Sequence, residues 1–334
     1  MSAHQQPLSA GPGIAARTLH GFLRFREASI VVVAILLIIY FEISNSNFIT
    51  NANLQTLSQF ISAPVIIACG EIMLLICGEI DLSVGMVFAI APFIMYFCAT
   101  SLGLPIIIAM LIALAVAGCI GLINGFITVK LRVPSFVTTL GTLFLINGLT
   151  LTISKGFPVD TPGSPAFAKI MGAAGYAEII WAVIIVAIMH VVLRNTRWGL
   201  HTIAVGGNVL AAAESGINVP KIKIGNFVLT SVLGAFAGIV EAYRIGSTDP
   251  LAGGTNMMFL AVAASVIGGT SLMGGSGTII GGLVGGLVLG VLQDGFTIDG
   301  INAYTFDMII GGAILIAMVF NIHVARLRRA GRKL

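Results

Sequence analysis

The chain has 334 residues, 57% of them hydrophobic and 9% charged, with a mean hydropathy of +1.05. A soluble globule of this size needs more surface charge than that, which excludes a cytosolic enzyme. Apolar runs of about 20 residues recur along the chain, each long enough to cross about 30 Å of hydrocarbon as a helix, so little is left over for a folded extramembrane domain.

In chain order, hydropathy predicts spans near 28–43, 55–77, 84–101, 105–128, 135–154, 178–194, 222–241, 258–273, 277–294 and 303–323. The expected fold is an all-α, polytopic membrane helical bundle of about ten transmembrane helices. Arg17, Arg24 and Arg26 precede the first span, and no small-residue cleavage site follows it, so it reads as an uncleaved anchor. With an even number of spans and both termini cytoplasmic, 14 of the 17 Lys and Arg residues fall inside, leaving Lys155, Lys169 and Arg244 outside. The expected organisation is a cytoplasmic tail 1–27, a transmembrane domain 28–323 and a basic cytoplasmic tail 324–334.

The longest outer loop, 155–177, carries Pro158, Pro162 and Pro165 and reads either as a partner surface or as an ordinary connection. The longest inner loop, 195–221, holds an Ala-rich stretch 209–215 between Gly206-Gly207-Asn208 and Gly216, which are start and stop signals for a short helix. In the ninth span Gly277, Gly281 and Gly285 lie four apart, as do Gly282, Gly286 and Gly290, giving two small-residue ridges suited to close helix packing. Gly274-Gly275-Ser276-Gly277 lacks the Gly-Lys-Ser/Thr of a phosphate loop. Cys69, Cys77, Cys98 and Cys119 all lie in apolar runs without paired His or CxxC spacing, so neither a disulfide framework nor a metal site is expected.

Four stretches carry a family resemblance. Gly78-Glu79-Ile80-Asp81-Leu82-Ser83-Val84-Gly85 resembles the GGIDLSVG signature of the permease subunits of ribose-type sugar ABC importers. Gly121-Leu-Ile-Asn124-Gly125 with 133–141 resembles that family's next block, 206–219 its cytoplasmic GGN…AARLSGINV loop, and 266–277 its VIGGTSLxGGxG block. The departures are Glu79 for the second Gly, Ala213-Glu214 where Arg-Leu is common, and Glu71 at a position the family often fills with a neutral residue.

The resemblance implies a permease subunit in a bacterial cytoplasmic (inner) membrane that moves a monosaccharide inward. Its implied partners are a cytoplasmic ABC ATPase, a periplasmic or extracellular sugar-binding protein, a second permease copy and membrane lipid, with no nucleic acid. It implies no enzyme activity and no cofactor in this chain, since ATP and magnesium belong to the ATPase. The loop 206–219 would be the coupling element, with Gly207, Asn208, Ala212, Ala213, Glu214 and Gly216 as contact residues and the small alanines letting the helix lie close against its partner.

A sugar path needs hydrogen-bonding groups, and the candidates are Glu71, Asp81, Ser83, Asn124, Asn147, Asn302, Tyr304 and Asp307. A carboxylate within a span is costly and faces a bundle interior, so Glu71 reads either as a sugar contact or as a buried structural hydrogen bond. Asp81, just before a span, reads as a cap for exposed helix amides. Glu79 reads as a solvated charge near the inner surface, and Glu241 and Arg244 as a local ion pair. Two other readings stay open at this stage. One is an ion-coupled secondary transporter with Glu71 and Asp81 as carriers; the other is an ABC permease for branched-chain amino acids or another small metabolite.

Overall fold

The computed structural model describes residues 28–302 together with 305, 308, 309, 311–313, 315, 316 and 319. The described residues form helices α1 (Ala28–Ser44), α2 (Asn51–Ile76), α3 (Val84–Thr100), α4 (Ile106–Lys130) and α5 (Ser135–Ser154). A short strand β1 (Val159–Asp160), α6 (Pro165–Ala168) and a π-turn (Lys169–Ala173) lead into α7 (Ala177–Asn195), α8 (Arg197–Gly207) and α9 (Val209–Glu214). The chain continues through α10 (Val219–Ile245), β2 (Ser247–Thr248), α11 (Gly254–Ile267) and α12 (Ile279–Ile298).

Among the described residues, six helices are long and apolar enough to cross a membrane: α2, α4, α5, α7, α10 and α12, while α1, α3 and α11 are shorter apolar helices. These nine match the first nine expected spans. The expected tenth span, 303–323, and both tails lie largely or wholly outside the described residues. One boundary is corrected: the span expected at 258–273 is helical over Gly254–Ile267 and then becomes loop. Gly269 takes φ +87°, which stops the helix ahead of Leu272 and Met273.

Two helices form the centre. α2 is enclosed over nearly its whole length, whereas α4, α5 and α7 bury only a narrow face. α10 lies between α2, α3 and α4, while α12 packs on α2, α11 and α1. Glycine makes these approaches possible. A Cβ at Gly121 would lie 2.5 Å from the Phe227 carbonyl oxygen, so α4 meets α10 almost backbone to backbone. The two ridges of α12 divide as expected: Gly281 and Gly285 meet Gly268 and Ala264, and Gly282, Gly286 and Gly290 meet Ile72, Val65 and Ile61 of α2.

The two ends of the bundle differ. At one end β1 and β2 pair antiparallel, Val159 opposite Thr248 and Asp160 opposite Ser247. The loop 155–177 is folded onto the bundle there, with the Tyr243 hydroxyl donating to the Pro162 carbonyl at 2.7 Å and the Trp181 indole to Ile170 at 2.9 Å. The other end carries α8 and α9 and the break between α2 and α3.

Candidate functional site

The break at 77–83 is where a set of buried polar groups collects. Gly78, at φ +75°, turns the chain out of α2, and the Glu79 amide donates back to the Leu74 carbonyl at 3.0 Å. Asp81 then bends the chain into α3: its Oδ1 accepts from the Ser83 amide at 2.9 Å and the Ser83 hydroxyl at 2.6 Å. Asp81 thus satisfies an amide at the entrance to the span, as expected, but one residue ahead of α3. Ser83 itself makes no side-chain cap to the first-turn amides of α3.

From Ser83 a chain of hydrogen bonds crosses two more helices. Asn124 of α4 donates to the Ser83 hydroxyl at 2.9 Å, and Thr142 of α5 donates to Asn124 Oδ1 at 2.6 Å. Asp81, Ser83 and Asn124 are each 0% exposed. Three of the sequence candidates therefore form one buried polar chain, and Thr142 was missed because a lone Thr in an apolar helix carries no sequence signal.

Four distant sequence blocks meet beside this chain. The Gly275 amide donates to the Ile76 carbonyl at 2.8 Å, and a Cβ on Gly206 would lie 1.6 Å from that same oxygen. Asn226 of α10, fully buried, donates toward the Met73 carbonyl (3.3 Å), Cys77 Sγ (3.3 Å) and Thr202 Oγ1 (3.2 Å), and accepts from the Trp198 indole at 2.8 Å. Asn226, Thr202 and Trp198 lie outside the motifs quoted above or between them. Glu79, expected to be solvated, is corrected: its side chain is 14% exposed and pairs with Lys223 of α10, Nζ to Oε1, at 2.5 Å. Burial of the break against α10 leaves it little water.

α9 projects from this end. Asn208 caps it, its Oδ1 accepting from the Leu210 and Ala211 amides at 3.0 Å each, and Gly216 at φ +82° closes it, with the Ile217 amide donating to the Ala212 carbonyl. The start and stop signals thus produce the expected helix, one residue shorter. Its faces are unequal. Ala212 is buried against Cys77, Val205 and Ile222 of the same chain, whereas Val209, Leu210, Ala213 and Glu214 are exposed. Gly207, Asn208 and Gly216 are also exposed.

The remaining candidates lie apart. Glu71 is fully buried in α2, and neither carboxylate oxygen has a hydrogen-bond partner among the described residues. Asn147 is half-buried on α5; five positions beyond Thr142, it is turned by about 140° from it around the helix. Asn302 is exposed beyond α12, and Tyr304 and Asp307 lie outside the described residues. At the opposite end the expected Glu241–Arg244 pair is present, Nη2 to Oε1 at 2.5 Å, and is joined by Glu178 at 3.4 Å. Cys69, Cys77 and Cys98 are buried free thiols and Cys119 is exposed.

Residues 52–319 match the family model described as branched-chain amino acid transport system / permease component. The xylose/arabinose import permease protein XylH of Sulfolobus acidocaldarius is 37% identical over 90% of this chain and 86% of its own. The ribose import permease protein RbsC of Escherichia coli is 36% identical over 88% of this chain and 92% of its own, and the galactose/methyl galactoside import permease protein MglC of the same species 33% over 88% and 93%. No solved structure matches this chain. The match spans most of the chain, including every block that meets around the α2–α3 break: this protein belongs to the permease family of ABC importers and is a multi-pass membrane protein.

Proposed function

We propose that this chain is the transmembrane subunit of a binding-protein-dependent importer that carries a monosaccharide across a bacterial cytoplasmic membrane into the cell. The observation that carries the reading is the buried chain Asp81–Ser83–Asn124–Thr142, built next to the segment that bears α9. Sugar hydroxyls exchange readily with hydroxyl and amide groups, which hold a neutral polyol without the long residence of an ion pair. The relatives are named for import of xylose and arabinose, ribose, allose and galactose, which favours sugars over amino acids as cargo.

In this reading a separate ATPase, with its ATP and magnesium, docks on α9, a binding protein delivers the sugar at the β1–β2 end, and a second permease completes the path. Exposed Val209 and Leu210 supply an apolar knob for a groove, and Glu214 a charged rim. ATP biases alternating access only through contacts that differ between the two states, which is the task of such a docking helix. The α9 end carries Lys130, Arg132, Arg194, Arg197, Lys221 and Lys223, against Lys155, Lys169 and Arg244 at the other end, which supports a cytoplasmic α9 end and ten spans with both termini inside. Reporter fusions after Leu334 and near Gly163 are expected to give opposite sides; same-side signals overturn the ten-span arrangement.

The direct test is uptake by proteoliposomes holding the permease, its ATPase and its binding protein. ATP-dependent uptake of a labelled pentose or hexose is expected, and uptake of leucine without any sugar refutes the assignment. Leu210→Asp and Glu214→Lys alter exposed positions, so the fold is retained, while ATPase association falls by about tenfold or more for Leu210→Asp, as for a residue at the centre of an interface, and by less for Glu214→Lys at its rim. Undiminished association in both variants removes α9 from the docking role.

A further inference from the structure

The Glu79–Lys223 pair stands at a junction. Lys223 lies in the first turns of α10, whose start is fixed by Asn218 Oδ1 accepting from the Lys221 amide at 3.1 Å. That start follows directly from α9, since the Ile217 amide donates to the Ala212 carbonyl at 3.0 Å. Glu79 lies in the non-helical break, two residues before Asp81, and the intervening Ile80 amide donates to the Ser135 hydroxyl at the head of α5 at 3.4 Å. The two side chains therefore join the segment that carries α9 to the segment that anchors the polar chain.

Stability alone is a poor reason for such a pair. With side chains only 16% and 14% exposed, both charges lose most of their hydration, and an apolar pair of similar volume holds the same elements together at least as well. The surrounding ties are of another kind. The Gly206–Ile76 and Gly275–Ile76 contacts are backbone to backbone, and Asn226 makes several short neutral contacts. They fix α8 and the α12 approach loop to the end of α2. Among these ties from α8, the α12 approach loop and α10, the ion pair is the one that reaches past Gly78 into the break itself, opposite the Ile80–Ser135 bond from α5, and it does so through two long side chains. Its acidic member also stands where the sugar-permease signature that 78–85 resembles has a glycine, which provides no side chain.

We propose that Glu79 and Lys223 are positioning residues: their ion pair is the latch through which movement of the α9 segment is passed to Asp81 and the polar chain it terminates. The latch rests on the reading of α9 as the ATPase-docking helix. When α9 is drawn by its partner, the start of α10 moves with it, and Lys223 pulls on Glu79 and hence on the backbone that holds Asp81. Neither side chain touches the sugar. Without the pair, the ATPase still docks and still hydrolyses ATP, but the break no longer follows.

The test uses the complete complex in proteoliposomes and reads two quantities, sugar taken up and ATP hydrolysed. The deciding variant is the neutral double replacement Glu79→Gln with Lys223→Gln, which leaves no lone buried charge and so retains the fold. Sugar taken up per ATP is expected to fall by about fivefold or more, the range of a modest coupling energy between sites, with ATPase association and hydrolysis rate unchanged. Lys223→Arg, which keeps the charge, is expected to stay within about twofold of the parent ratio. A parent-like ratio in the double variant overturns the latch, as does loss of ATPase association in it, or a Lys223→Arg ratio as low as that of the double variant. Leu210→Asp separates the two ideas. If association survives that replacement, the docking role of α9 has failed; if it is lost while the double variant keeps the parent ratio, the latch alone has failed.

Discussion

Gly206→Ala is expected to lower the melting temperature of the detergent-solubilised protein sharply and to remove transport, whereas Gly207→Ala leaves the melting temperature unchanged or slightly raised. A Cβ on Gly206 lies 1.6 Å from the Ile76 carbonyl oxygen and 2.8 Å from the Gly275 amide nitrogen, both backbone atoms that no rotamer change can move. Alanine gains about 1 kcal/mol of helix propensity over glycine. Overpacking of a tight contact costs about 1–3 kcal/mol or more, and a backbone overlap this deep belongs at or beyond the upper end, so the clash wins. Gly207 has open space where its Cβ would be, so only the propensity gain remains. The neighbouring glycines of one motif are thus held for different reasons. Equal melting of the two variants is the result that contradicts this packing; a Gly207→Ala protein that melts normally but releases its ATPase marks that residue as a docking contact.

What the sequence made legible follows the range of the interactions involved. The nine apolar helices α1–α5, α7 and α10–α12 could be read because each is an apolar run, six of them long enough to cross a bilayer, and α9 because Asn208 and Gly216 act on amides and carbonyls only a few residues away. The glycine ridges of α12 were visible from a spacing of four within one helix. Partners across the bundle were not. Asp81, Ser83 and Asn124 were each candidates, but their being one chain depends on α3 and α4 meeting beside α5, and Thr142 resembles any other helical Thr until Asn124 is seen against it. Asn226 collects partners from α2, α8 and the α2–α3 break, separated from it by 24 to 153 residues. Lys223 likewise turns Glu79 from an apparent surface charge into a buried pair across 144 residues. The end of α11 was misplaced because hydropathy does not register the left-handed backbone of Gly269.

Asp81→Ala is expected to cost more than any other replacement within the polar chain. The donors all run one way: Thr142 to Asn124, Asn124 to Ser83, Ser83 to Asp81. A hydroxyl or an amide can serve at either end of a hydrogen bond, so the direction is set by the terminal group, and Asp81 Oδ1 accepts from both the Ser83 amide and the Ser83 hydroxyl. Ala at 81 leaves the Ser83 amide and hydroxyl without their acceptor in a site that is 0% exposed. Two buried donors left without an acceptor, at about 1–3 kcal/mol each, put the loss near 2–6 kcal/mol, a large part of the roughly 5–15 kcal/mol margin of an ordinary domain. Asp81→Asn keeps an acceptor in the same place and is expected to melt between the parent and Asp81→Ala. Asn124→Ala, after which the Thr142 hydroxyl still has the Thr138 carbonyl at 3.1 Å and the Ser83–Asp81 bonds stay intact, is expected to be milder than Asp81→Ala. Because the links share Ser83, the double variant Asp81→Ala with Asn124→Ala should depart from additivity by about 0.5–3 kcal/mol. Equal melting of Asp81→Ala and Asp81→Asn, or strict additivity in the cycle, would mean that the groups act independently and that Asp81 does not orient the chain.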